Sequence, residues 1–181
     1  MKNLILISFL LAISLSFSQS ITFEPRKLDS LIFLKINKYR ATLGVKPFVA
    51  FEDSLMREYS QRLTRVNSTK QFITHSDSVG YVCNGECIYR YASGGKLNEF
   101  LLANGEVDYD KLAEKAVTGW INSPTHQNII SGERFNIATV TSVIKLNKEA
   151  GSIQFDSSFH ALDKGLTTST KYSYKTKNRA K

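Results

Sequence analysis

The chain has three histidines and two cysteines, and these five side chains offer most of its metal-ligating, proton-transferring and redox chemistry. His75, His126 and His160 each carry an imidazole with an unperturbed pKa of about 6.5, so near neutral pH each has a lone pair for a proton or a metal ion. Cys83 and Cys87 enclose Asn84-Gly85-Glu86. Asn and Gly both tolerate positive φ, which suits a tight turn that brings the two sulfurs together. A Cys83–Cys87 disulfide is therefore expected. Closing so short a loop would restrict the unfolded chain by roughly 2 kcal/mol and would limit the movement of Glu86. Two thiols, or thiolates joining His75 around a soft metal, are the alternatives. Ser76 follows His75 and Ser123 lies one helical turn before His126, but the chain has neither H-E-x-x-H nor G-x-S-x-G, so no local spacing marks a catalytic nucleophile.

The elements that carry these residues are legible from periodicity. Leu28, Ile32, Ile36, Tyr39 and Leu43 recur every three or four residues and predict a first helix, preceded by Pro25 and stopped near Gly44. A second helix follows Val45-Lys46-Pro47-Phe48, with Asp53 as N-cap and Leu55, Tyr59, Leu63 and Val66 on its buried face. Asn67-Ser68-Thr69 has the form of a glycosylation acceptor, a triplet that is mostly plain polar loop. Residues 68–107 show no clear period. They hold His75, both cysteines and the aromatics Phe72, Tyr81, Tyr89, Tyr91 and Phe100, read as packing rather than as a ligand wall. A third helix fits 109–122, with Leu112, Ala116 and Trp120 in line, ended or kinked by Pro124. Strands are expected over 135–146 and 153–159, joined by a loop at 147–151. Helices early and strands late argue for an α+β fold.

Lys2, the apolar run from Leu4 to Phe17 and the small, polar residues up to Ser20 read as a signal peptide over residues 1–20. The run is shorter than the ~20 apolar residues that span a bilayer, and no later stretch comes closer, so no transmembrane segment is expected. The predicted destination is extracellular or periplasmic, where disulfides persist. The formal charge is +8, but Lys2 and five cations within residues 171–181 account for most of it. The body projects no basic field, and nucleic acid is not an expected partner. Residues 166–181 predict a disordered basic tail, which leaves 21–165 as one domain.

Read in order, Asn37-Lys38-Tyr39-Arg40, Gly44, Lys46-Pro47-Phe48, Leu55, His75, Gly85-Glu86-Cys87-Ile88, and Trp120 with Ser123-Pro124-Thr125-His126 form a pattern. It resembles CAP domains, the superfamily of cysteine-rich secretory, antigen-five and pathogenesis-related proteins, in the form of its shorter bacterial members. The resemblance covers roughly residues 28–160. It implies a three-layer α-β-α sandwich with a central antiparallel sheet and a shallow cleft lined by His75, Glu86 and His126. His75 and His126 are then the candidate ligands of a divalent cation such as zinc. Cys87 stands where the family usually has Asn, and Ser123 where longer members carry a second glutamate, so the set is a triad. His160 has no counterpart in the pattern and is expected to be an ordinary strand or loop residue. The alternative to ion binding is a hydrogen-bonded network that ties loops to the sheet. The function implied is a secreted, non-enzymatic binding module for a cation, a lipid or another extracellular protein. A secreted peptidase-like hydrolase using the same cleft is the other reading.

Overall fold

The computed structural model describes residues 23–51, 54–75 and 85–163. The expected signal peptide, the basic tail, the Asp53 cap, Ser76, Tyr81 and Cys83 lie outside the described residues. Helix α1, Pro25–Thr42, has its proline in the first turn, where the missing N–H costs nothing, and buries Leu28, Ile32 and Ile36. It ends into Gly44, whose φ of +71° a side chain would resist. Then come β1 (Val49–Ala50), α2 (Ser54–Thr69), β2 (Gly85–Ser93), a 3-10 turn (Leu97–Phe100), α3 (Tyr109–Ile121), α4 (Pro124–Ser131), β3 (Phe135–Asn147) and β4 (Ser152–Asp163). Asp108 caps α3 by accepting the Lys111 N–H. Pro124 does not merely stop α3; it opens α4 from the first turn, the helical position it tolerates best.

The four strands form one sheet in the order β1-β3-β4-β2. β4 pairs antiparallel with β2 on one side and β3 on the other. The two-residue β1 runs parallel to β3, so the sheet is mixed rather than wholly antiparallel. β1 is entered and left through helices, and no hairpin fixes its direction.

Alternation along the strands separates the two faces. One face carries Phe155, Phe159, Ala138 and Val140 and packs against α1, α3 and α4 through Leu28, Ile32, Leu112, Trp120 and Ile130. The other carries Asp156, Ser158, His160, Thr139 and Thr141, all buried, and is covered by α2. The fold is thus an α+β sandwich of three layers with unequal interiors, one apolar and one polar. That inequality corrects the expected register of α2. Tyr59 and Leu63 are half-buried and Val66 is exposed, whereas Met56, Ser60, Thr64 and Asn67 face inward. The inward stripe is polar because the strands beneath it are.

Residues 68–107 also contain more order than their lack of period suggests. β2 is buried on both faces near its start, with Cys87 on the apolar side and Ile88 on the other, so no clean alternation shows. Tyr89, Tyr91 and Phe100 pack into the core, with Tyr91 and Phe100 rings 5.1 Å apart. Phe72 is exposed.

Candidate functional site

Glu86 sits on β2, an edge strand, directly opposite His160 of β4. His160 is not an ordinary strand residue: its side chain is fully buried, and its Nε2 lies 3.1 Å from Glu86 Oε2. The other carboxylate oxygen, Oε1, lies 2.7 Å from Nδ1 of His75, whose ring is mostly exposed. Behind His160, its Nδ1 is 3.0 Å from Ser60 Oγ, which is 2.6 Å from Thr141 Oγ1, in turn 2.9 Å from Thr64 Oγ1.

The chemistry of these groups fixes the direction of the chain. An ionised carboxylate only accepts, so both imidazoles must donate to Glu86, His160 from Nε2 and His75 from Nδ1. In the Nε2–H tautomer His160 accepts at Nδ1 from the Ser60 hydroxyl, and Thr141 donates to Ser60. The result at the surface is specific. In its Nδ1–H tautomer His75 directs its Nε2 lone pair away from Glu86.

Two side chains place His75. Asn67, buried at the end of α2, donates from Nδ2 to the Thr74 carbonyl (2.9 Å) and accepts the Thr74 N–H at Oδ1 (3.1 Å), closing the turn that delivers His75. It is therefore a clamp inside the fold, not an open glycosylation site. Arg90 of β2 donates to the carbonyls of Asn67, Lys70 and Gln71, and its Nε is 2.7 Å from buried Asp156. The cation thus meets the carbonyl end of α2, where positive charge is favoured.

His126 arrives from the opposite layer. It lies in the first turn of α4, and its ring centroid is 6.2 Å from that of His75. Burial, and then repulsion from His75 whenever that ring is protonated, hold its pKa below the usual histidine value, so the ring is neutral at pH 7. The position of α4 depends on the Asn37-x-x-Arg40 motif. Asn37 binds both the N–H and the C=O of Phe48, and Arg40, buried, donates to the carbonyls of Lys46, Ile130, Gly132 and Phe135. Its guanidinium also stacks 3.9 Å from the Phe48 ring centroid. Gln127 Nε2 adds a 2.9 Å bond to Tyr39 Oη. Gly85 lets α4 close on the sheet edge, since a Cβ there would stand 2.5 Å from Ile129 Cγ2.

The structure therefore brings His75, Glu86 and His126 together and adds His160, Ser60 and Thr141 behind them. Cys87 is buried on the core face, with its Sγ 3.9 Å from the His126 carbonyl oxygen. Its expected partner Cys83 lies outside the described residues, and among those residues no disulfide is formed. Ser123 is the N-cap residue of α4.

The donor set fits a divalent transition metal with two protein ligands. Metal–nitrogen bonds of about 2.0–2.1 Å put two imidazole centroids about 5 Å apart on a tetrahedral ion, so the pair has to close by about 1 Å. His75 is the more exposed member of the pair. Glu86 is engaged by both His75 and His160, which makes it an orienting group rather than a third ligand. Among the described residues no group of three or more His, Cys, Asp and Glu side chains is arranged to hold a metal ion, so water would complete the coordination.

No family model matches the chain, and no curated protein matches it. Among solved structures, the chain is similar to an outer surface protein from Borrelia burgdorferi, at 12% identity and a TM-score of 0.44, covering 81% of this chain and 100% of that one. It is also similar to MpPR-1i, at 10% identity and a TM-score of 0.47, covering 77% of this chain and 90% of that one. A third is a cysteine-rich secretory protein from Staphylococcus aureus subsp. aureus Mu50, at 9% identity and a TM-score of 0.44, covering 80% of this chain and 41% of that one. Likenesses of this size describe overall shape and do not by themselves define a family. Among the described residues no helix is long and apolar enough to cross a membrane.

Proposed function

We propose that this chain is an exported CAP-type binding module whose cleft holds a divalent cation between His75 and His126. The observation that carries this reading is the 2.7 Å contact between Glu86 and His75 Nδ1. It leaves Nε2 as the free lone pair beside a second imidazole that burial keeps neutral. An orienting carboxylate behind a ligating histidine is a common feature of metal sites. When bound, the cation would supply a polarising, exchangeable coordination site. His75 and His126 would hold it, Glu86 would set the His75 tautomer, and His160 would set Glu86. Two protein ligands make the affinity weak. Acid weakens it further, because protons compete for both imidazoles.

Calorimetry with zinc on protein made without a histidine tag tests the proposal. The wild type should bind one ion, and His75→Ala and His126→Ala should each remove the heat. Equal heats in wild type and His126→Ala would place any zinc elsewhere and end this reading.

A further inference from the structure

The opposite edge of the sheet carries a second feature. β1 covers β3 only at Ile137 and Ala138. The Phe51 N–H bonds the Ala138 carbonyl at 2.8 Å, so the backbone groups of Ala138 point toward β1. By the period of a strand, those of Val140, Ser142 and Ile144 point the same way. Among the described residues no strand meets them. Two adjoining hollows of about 540 and 530 Å³ run along this edge between α1 and α2, sharing Arg26, Asp29 and Arg57 in their walls. One end is apolar, with Phe33, Leu34 and Phe51. The other adds Arg65 and Gln61.

Two buried atoms on this wall have no hydrogen-bond partner among the described residues, Asp29 Oδ1 and Arg57 Nε. One is an acceptor and the other a donor, and such atoms are costly to leave unmatched. Their side chains are neighbours, with Asp29 Oδ2 and Arg57 Nη2 4.0 Å apart. A peptide unit offers the complement, an N–H for Asp29 Oδ1, which accepts whether or not the acid is protonated, and a C=O for the guanidinium. We infer that this groove is a docking site for an extended, acidic segment of a partner protein, which adds as a strand to the open edge of β3. Backbone pairing at Val140 and Ile144 would supply affinity, with the Asp29 carboxyl already facing Ser142 between them. Arg26, Arg57 and Arg65 select acidic side chains, and the Phe33–Leu34–Phe51 end takes an apolar one. The chain's own residues 166–181 have five cations and no acid, the wrong sign for this wall. A second copy would set the same three arginines against each other.

The test is a titration of the full ¹⁵N-labelled chain with a capped peptide alternating glutamate and valine, followed by amide shifts and hydrogen exchange. Saturable shifts are expected at Val140, Ser142 and Ile144, with exchange there slowed about ten-fold or more. Arg57→Gln should weaken binding by about ten-fold, and a lysine–valine peptide should bind at least that much more weakly than the acidic one. The same acidic peptide N-methylated at alternate residues should not bind. Absent or unsaturable shifts, equal binding of the N-methylated peptide, or shifts confined to other surfaces would overturn the inference. A fatty acid found in the native mass spectrum and displaced by Leu34→Glu would overturn it too, as would a dimer in sedimentation that protects the same amides without peptide.

Discussion

Asp29 gives the fold a pH dependence that can be worked out in advance. Its carboxyl is buried between α1 and β3, and the pKa is pushed up to about 7 from 3.8, chiefly by desolvation. Ser142 across the groove floor, Arg57 from α2 and Arg26 on its own helix all act the other way, but together they do not offset the burial. The folded state therefore keeps a proton that the unfolded chain releases near pH 4. Between about pH 4 and pH 7 the folded state binds more protons, so stability falls as pH rises, then levels off above pH 7. A rise from 3.8 to about 7 corresponds to about 4 kcal/mol, an upper figure since the groove is partly open. Asn is close in shape to the protonated acid and does not titrate. Asp29→Asn should match the wild type within about 1 kcal/mol at pH 4 and exceed it by about 2–4 kcal/mol at pH 8. Urea unfolding of both proteins at a series of pH values measures this directly. Parallel stability curves for the two would refute the reasoning, because they would mean that Asp29 ionises in the fold as freely as in the unfolded chain.

Arg40→Met should cost about 3 kcal/mol in urea unfolding, because it strips donors from buried carbonyls, and Arg40→Lys should restore little, since an ammonium cannot span four carbonyls in one plane. His160→Phe should cost about 2–4 kcal/mol by removing the buried bonds from His160 to Glu86 Oε2 and Ser60 Oγ, and it should weaken zinc binding although residue 160 is not a ligand; unchanged zinc calorimetry would contradict its positioning role. Gly85→Ala should force Ile129, and with it α4, away from the sheet edge, reducing zinc heat and widening the His75–His126 separation in a crystal structure.

Much of the frame was legible before any coordinates. α1 and α3 follow from apolar residues at helical spacing, and β3 and β4 from alternation with a turn between them. The sequence misleads where the interior is polar. In α2, Leu55, Tyr59, Leu63 and Val66 make a plausible apolar stripe one residue out of register with the buried one, which is Met56, Ser60, Thr64 and Asn67. That stripe has helical spacing too, and its hydroxyls match the alternating Gln154, Asp156, Ser158 and His160 of β4. The two polar patterns together were the signal that could have found His160. Its pairing with Glu86 is a cross-strand contact between distant parts of the chain, which no local spacing reveals. His75, Glu86 and His126 were assembled by resemblance alone. The role of Arg40, tying the Ile130 and Gly132 carbonyls at the end of α4 to those of Lys46 and Phe135, is likewise hidden, since a charged residue on a helix is ordinarily solvated.

The central claim is that Glu86 fixes His75 with Nε2 as the open lone pair beside a neutral His126. Imidazole ¹⁵N–¹H correlation spectra of the protein without metal, then with zinc added, test it most directly. Expected at pH 7 are a His75 Nδ1–H tautomer and a neutral His126, with zinc shifting the His75 Nε2 resonance and one His126 nitrogen together while His160 keeps its proton on Nε2. A His75 protonated on Nε2, or zinc shifts that spare either His75 or His126, would contradict it.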